Sequence, residues 1–117
     1  MKPTERGCAH MRLATRYSYR GIRLAWQNEE SFRQEVLVVL IGLPLALWLA
    51  RDTVDFLLLA LPLLLLMCAE LANSAIEATV DRVGEEYHEL SGRAKDMGSA
   101  AVFMAIAIGL SLAFVLS

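Results

Sequence analysis

Three uninterrupted uncharged stretches, residues 36–50, 56–69 and 97–117, constrain this chain more than any other feature. A helix needs about 20 apolar residues, at roughly 1.5 Å each, to cross the hydrocarbon core of a bilayer. The third stretch meets that length alone. The first reaches it by adding Phe32 and the stems of Arg33 and Glu35, whose heads extend to the interface. The second extends through Leu71, Ala72, Ala75 and Ile76, provided Glu70 faces protein. Hydrophobic residues make up 56% of a chain of 117, more apolar surface than a small soluble domain can hide. The expectation is an all-α membrane protein, a single domain over residues 1–117, with spans at about 32–50, 54–80 and 93–117. The N-terminal thirty residues carry no apolar h-region, which argues against a cleavable signal peptide.

The basic residues set an orientation. Lys2, Arg6, Arg12, Arg16, Arg20, Arg23 and Arg33 precede the first uncharged stretch, Arg51 stands in the first loop, and Arg82, Arg93 and Lys95 surround the second. The positive-inside rule puts the N-terminus and the second loop in the cytoplasm. Arg12, Arg16, Arg20 and Arg23 recur at helical spacing, with Met11, Ala14, Ser18, Gly21, Ile22 and Ala25 roughly opposite. That pattern predicts an amphipathic surface helix over about residues 9–28, lying in the headgroup layer. Ser91 is the expected N-cap of the last helix, and Gly98, Ser99, Ala100 and Ala101 allow close helix packing. Cys8 and Cys68 fall in different environments and show no metal-ligand spacing.

The chemistry concentrates in residues 70–81. Glu70, Asn73, Glu77 and Asp81 fall on one helical stripe, backed by Leu71, Ala72, Ala75, Ile76, Ala78 and Val80. An ionised carboxylate facing lipid costs several kcal/mol, so Glu70 must face the bundle. With the interface near Glu77, Glu70 sits about 10 Å deeper, at the depth of a lipid hydroxyl, while Glu77 and Asp81 meet soluble groups. Phosphoryl transfer asks for such parts: a base at the attacking hydroxyl, a divalent metal on the phosphates, and cations beside them. Mg²⁺ prefers carboxylate oxygens and keeps several waters, which Glu77 with Glu29 can satisfy, and Lys95 with nearby arginines can hold phosphates. No Walker A, kinase-type glycine-rich or dinucleotide motif is present. For Asp81, Glu85, Glu86 and Glu89 a solvated helix face is the simpler reading, as is a surface position for His88.

Two segments then carry a family resemblance. Glu70-x-x-Asn73-Ser74-Ala75-Ile76-Glu77-x-x-x-Asp81, followed by residues 86–101, resembles the small bacterial integral-membrane diacylglycerol kinase. Tyr17-Ser18, Gly21, Trp26, Asn28-Glu29 and Phe32-Arg33-Gln34-Glu35 agree with it, although His10 stands where the family often has arginine. The resemblance implies a homotrimer in the bacterial inner membrane, with active sites shared between subunits. It implies transfer of the γ-phosphate of MgATP to diacylglycerol, with Glu70 as general base and Asn73 orienting the reacting groups. Glu29 and Glu77 would hold Mg²⁺. Tyr17, Glu29, Glu77, Glu86, Tyr87, His88, Lys95 and Asp96 would border the nucleotide. Arg23, Trp26, Ser31, Arg33, Glu35, Trp48, Glu70 and Ser99 would line the lipid side. No nucleic-acid partner is implied.

Three rival readings remain at this level, one of them a non-enzymatic membrane subunit, which would tolerate Glu70→Ala. An undecaprenol kinase shares the acidic motif but takes a polyprenol. A small multidrug-type transporter also buries one glutamate in a membrane oligomer, yet has no use for the charged segment 85–96.

Overall fold

The computed structural model describes residues 7–84, 86 and 88–117. Lys2, Arg6, Glu85 and Tyr87, all named above, lie outside the described residues. Four helices account for the described chain: α1 (Cys8–Asn28), α2 (Glu30–Leu49), α3 (Thr53–Val83) and α4 (Glu89–Leu116). The last three are long and apolar enough to cross a membrane.

Helix α3 is the central element, packed against α4 on one side and α2 on the other. Its 31 residues make it roughly 46 Å long, well beyond a hydrocarbon core of about 30 Å. Its apolar body therefore continues into a polar extension that carries Glu77 and Asp81. Helices α2 and α3 run unbroken through Pro44 and Pro62. Membrane helices tolerate proline because neighbours re-satisfy the freed carbonyl.

Local chemistry explains the helix ends. The α1–α2 corner is one extended residue, Glu29, and Arg33 Nη1 donates to the Trp26 carbonyl at 2.7 Å. That bond occupies one of the orphan carbonyls at the end of α1 and brings a cation to the negative end of its dipole. At the α2–α3 turn, Asp52 caps α3 by accepting from Asp55 N–H at 2.9 Å. Arg51 pairs with Asp55 at 2.9 Å, and this hydrogen bond raises the guanidinium pKa above its ordinary value. The N-cap of α4 is His88, not Ser91: its Nδ1 accepts from Leu90 N–H at 3.0 Å, and the helix starts at Glu89. Serine is the better cap by type, but the chain is already helical at position 91, and the cap falls to the last extended residue, His88.

Small residues set the α3–α4 seam. Gly98 and Ala105 are the buried positions of α4, and Gly109 continues their stripe a turn further on. A Cβ on Gly109 would stand 3.3 Å from Pro62 Cβ, a ring atom that cannot rotate away. We expect Gly109→Leu to cost about 1–3 kcal/mol through overpacking. Ala107→Leu, on an exposed position of the same helix, should leave stability unchanged. Unfolding midpoints in mixed detergent micelles will compare the two.

Elsewhere the apolar side chains point outward. Only 6% of the most apolar part of α4 is buried within the chain, and Phe103, Leu110 and Phe114 are largely exposed. In water such a surface would aggregate. In a bilayer it faces lipid tails or other protein at no hydrophobic cost.

Candidate functional site

The polar stripe of α3 organises the site into three levels. The deepest is Glu70, which is 4% exposed and the one buried charged residue among the described ones. Counted from Thr53, it lies about 26 Å along α3, near the far boundary of a hydrocarbon core. Ser31 Oγ donates to Glu70 Oε1 at 2.6 Å, a short bond across 39 residues of sequence. Glu35, one turn further along α2, lies close enough for the two carboxyl groups to interact. Its Oε2 is buried without a partner and borders an apolar cavity of about 470 Å³ between α2, α3 and α4. Two acidic groups and a hydroxyl thus meet beside the apolar cavity, with Glu35 on its edge.

The middle level is Asn73 and Glu77. Asn73 Nδ2 donates to Glu77 Oε1 at 3.3 Å, one helical turn along, which orients the carboxylate. Asn73 Oδ1 is buried and unpaired.

The outer level is a polar cleft of about 200 Å³ between the end of α3 and the start of α4. Asp81, Glu86, His88, Ser91, Gly92 and Lys95 line it. Lys95 Nζ meets Asp81 Oδ1 at 2.9 Å, and Glu77 lies within electrostatic reach of the same ammonium. Both partners are substantially exposed, so the pair contributes little to stability. Its consequence is positional, because it holds a cation at the rim.

The remaining expected residues are distributed unevenly. Glu29 sits in the α1–α2 corner and borders a groove of about 610 Å³ between α1 and α3, lined by Gly21, Ala25, Ser74, Ala75 and Ala78. Among the described residues no three His, Cys, Asp or Glu side chains converge as a metal cage. The Glu77 carboxylate, which accepts from Asn73, is the kind of oxygen donor that Mg²⁺ takes together with phosphates and water. Tyr17, Arg23 and Trp26 are exposed on α1, and Asp96 and Ser99 are exposed on α4. Arg33 is engaged in the helix corner. Trp48 stands about 26 Å along α2 from Ser31, at the opposite end of the helix. It can meet only the far end of a lipid tail.

Sequence reasoning assigned Ser31 to the lipid side but did not pair it with Glu70. It placed Asp81 on the stripe without foreseeing Lys95 opposite. Complementary charge across the α3–α4 loop was the available signal.

Known proteins resemble this chain along most of its length. A family model described as prokaryotic diacylglycerol kinase matches residues 16–116. The chain is 56% identical over 95 residues to a diacylglycerol kinase of Escherichia coli K12, covering 81% of this chain and 78% of that protein. It is 46% identical over 102 residues to a diacylglycerol kinase of Haemophilus influenzae, covering 87% and 86%. A third, from Pseudomonas aeruginosa, is 47% identical over 95 residues, covering 81% and 77%.

Proposed function

The chain belongs to the prokaryotic diacylglycerol kinase family, and we propose that Glu70 is the general base of its reaction. The reaction joins diacylglycerol and ATP to give phosphatidic acid and ADP, and family membership implies dependence on Mg²⁺. One observation carries the assignment of the base. Glu70 is the one buried charged residue among the described ones, it interacts with Glu35 at the edge of the apolar cavity, and it already accepts an O–H donor from Ser31 at 2.6 Å. A lipid hydroxyl needs the same acceptor geometry, and Glu70 takes its proton as the oxygen–phosphorus bond forms and ADP leaves. Glu35 and the apolar cavity below it keep water out and receive the first part of an acyl chain.

The nucleotide approaches from the outer cleft. Lys95, held at the rim by Asp81, exchanges that partner for phosphate oxygens. His88 accepts through Nδ1, which leaves Nε2 as the ring's donor toward the nucleotide. Tyr17, Glu86 and Asp96 are the further residues assigned to the nucleotide, and Tyr87, also expected there, lies outside the described residues. Glu29 and Glu77 would hold Mg²⁺, which, when bound, neutralises charge on the transferring phosphoryl group. Asn73 keeps Glu77 aimed at that position. Arg23, Trp26 and Ser99 present their exposed side chains to lipid at the interface.

In this reading α1 lies on the cytoplasmic face, and the working unit is a homotrimer with shared active sites. The groove between α1 and α3, floored by small residues and unfilled by the chain itself, supports a neighbouring helix seated there. The test is transfer of labelled γ-phosphate from MgATP by detergent-purified protein to short-chain diacylglycerol, beside undecaprenol. Labelled phosphatidic acid forming faster than labelled polyprenol is the expected result. The reverse order would move the assignment to a polyprenol kinase, and no transfer to either would remove the kinase reading.

A further inference from the structure

We propose that Gly98 is a positioning residue for the metal-binding carboxylate Glu77, acting through the side-chain amide of Asn73. The inference rests on the reading of Glu77 as a Mg²⁺ ligand and deepens it. Gly98 is buried where α4 crosses the polar stripe of α3. The space a Cβ would need there is occupied by Asn73 Oδ1, with Asn73 Cγ and Ile76 Cδ1 at 3.4 Å. That oxygen is buried and has no hydrogen-bond partner among the described residues, an arrangement that costs free energy. An asparagine free to rotate would turn the oxygen toward a donor.

Helix α4 prevents this. With its backbone pressed against Asn73 at Gly98, the amide is wedged in one orientation, and Nδ2 is directed along α3 to Glu77 Oε1 at 3.3 Å. A methyl group at position 98 forces a choice between two movements. Either Oδ1 swings out, which breaks the Asn73–Glu77 bond, or α4 withdraws and carries Lys95 on its second turn away from Asp81. Each movement disturbs the groups that meet metal and phosphate, while the Ser31–Glu70 pair keeps its own contacts.

The experiment compares wild type with Gly98→Ala, Asn73→Ala, Glu77→Gln and the Gly98→Ala/Asn73→Ala double variant. The chain has two asparagines, Asn28 and Asn73, so ¹⁵N-asparagine labelling gives two side-chain amide pairs. The Asn28 amide, which donates to Leu24 within α1 at 2.9 Å, serves as an internal reference. In Gly98→Ala we expect the Asn73 pair to shift while Asn28 stays. The Mg²⁺ concentration for half-maximal rate should rise roughly tenfold, as for loss of other groups that orient a metal ligand. The KM for diacylglycerol should hold.

Adding Gly98→Ala to Asn73→Ala should change the Mg²⁺ dependence little further, because the group through which Gly98 acts has gone. An unmoved Asn73 amide with wild-type Mg²⁺ dependence in Gly98→Ala would overturn the proposal, as would full additivity in the double variant. If Gly98→Ala alone fails to fold, folding of the double variant locates the conflict at Oδ1 and upholds the proposal. Failure of both reduces Gly98 to a packing residue and ends it. A Glu77→Gln protein with unaltered Mg²⁺ dependence would instead remove the metal reading on which the inference rests.

Discussion

Glu70→Gln is expected to lower kcat for phosphoryl transfer to diacylglycerol by roughly three orders of magnitude, the range ascribed to general-base catalysis. Glutamine has nearly the same shape, and its amide oxygen can still accept from Ser31 Oγ. The fold and the lipid groove should therefore survive, and the KM for diacylglycerol should change by less than kcat. Loss confined to kcat is the signature of an interaction used only in the transition state. A folded Glu70→Gln protein turning over near the wild-type rate would end the assignment of the base. Ser31→Ala provides the useful contrast. It removes one donor from Glu70 but leaves the carboxylate, so it should reduce the rate far less.

Lys95→Met is the second large effect. We expect kcat/KM for MgATP to fall by roughly a hundred- to a thousandfold, as when one preorganised charge is removed from a transferring group. The KM for diacylglycerol should be nearly unaffected, because Asp81, which pairs with Lys95, and Glu70 lie at opposite ends of the polar stripe. Stability should be unaltered, since the Lys95–Asp81 pair is largely exposed and such pairs contribute little. That separation makes the experiment decisive. A drop in activity with an unchanged unfolding midpoint assigns the ammonium to the nucleotide, whereas an unchanged kcat/KM for MgATP would exclude it. Lys95→Arg should recover only part of the loss, because a planar fork does not reproduce a point charge in a small cleft.

The fold was readable to the extent that it is local. Uncharged stretches foretold α2, α3 and α4, and helical periodicity put Glu70, Asn73, Glu77 and Asp81 on one face. Burial of Glu70 followed from the cost of a carboxylate in lipid, and Glu70 is 4% exposed. Helix ends were less legible. Ser91 has the right chemistry for a cap, yet His88 performs it, because the choice depends on where the loop leaves its last extended residue. Arg33, which the resemblance put beside the lipid, spends a hydrogen bond on the Trp26 carbonyl, a contact visible only once α1 and α2 meet at a corner.

The sequence by itself determined which segments are helices, which of them enter the membrane, and which face of α3 carries the acids. Each of these depends on hydropathy and on a 3.6-residue period, properties that neighbouring residues define among themselves. Only the tertiary structure decided that Ser31 reaches Glu70, that Lys95 reaches Asp81, and that Gly98 leaves room for Asn73. Those contacts depend on how far each helix is rotated and slid against the next. Between apolar helices in lipid no hydrophobic gradient sets that register, and the close fit of small residues against particular partners does.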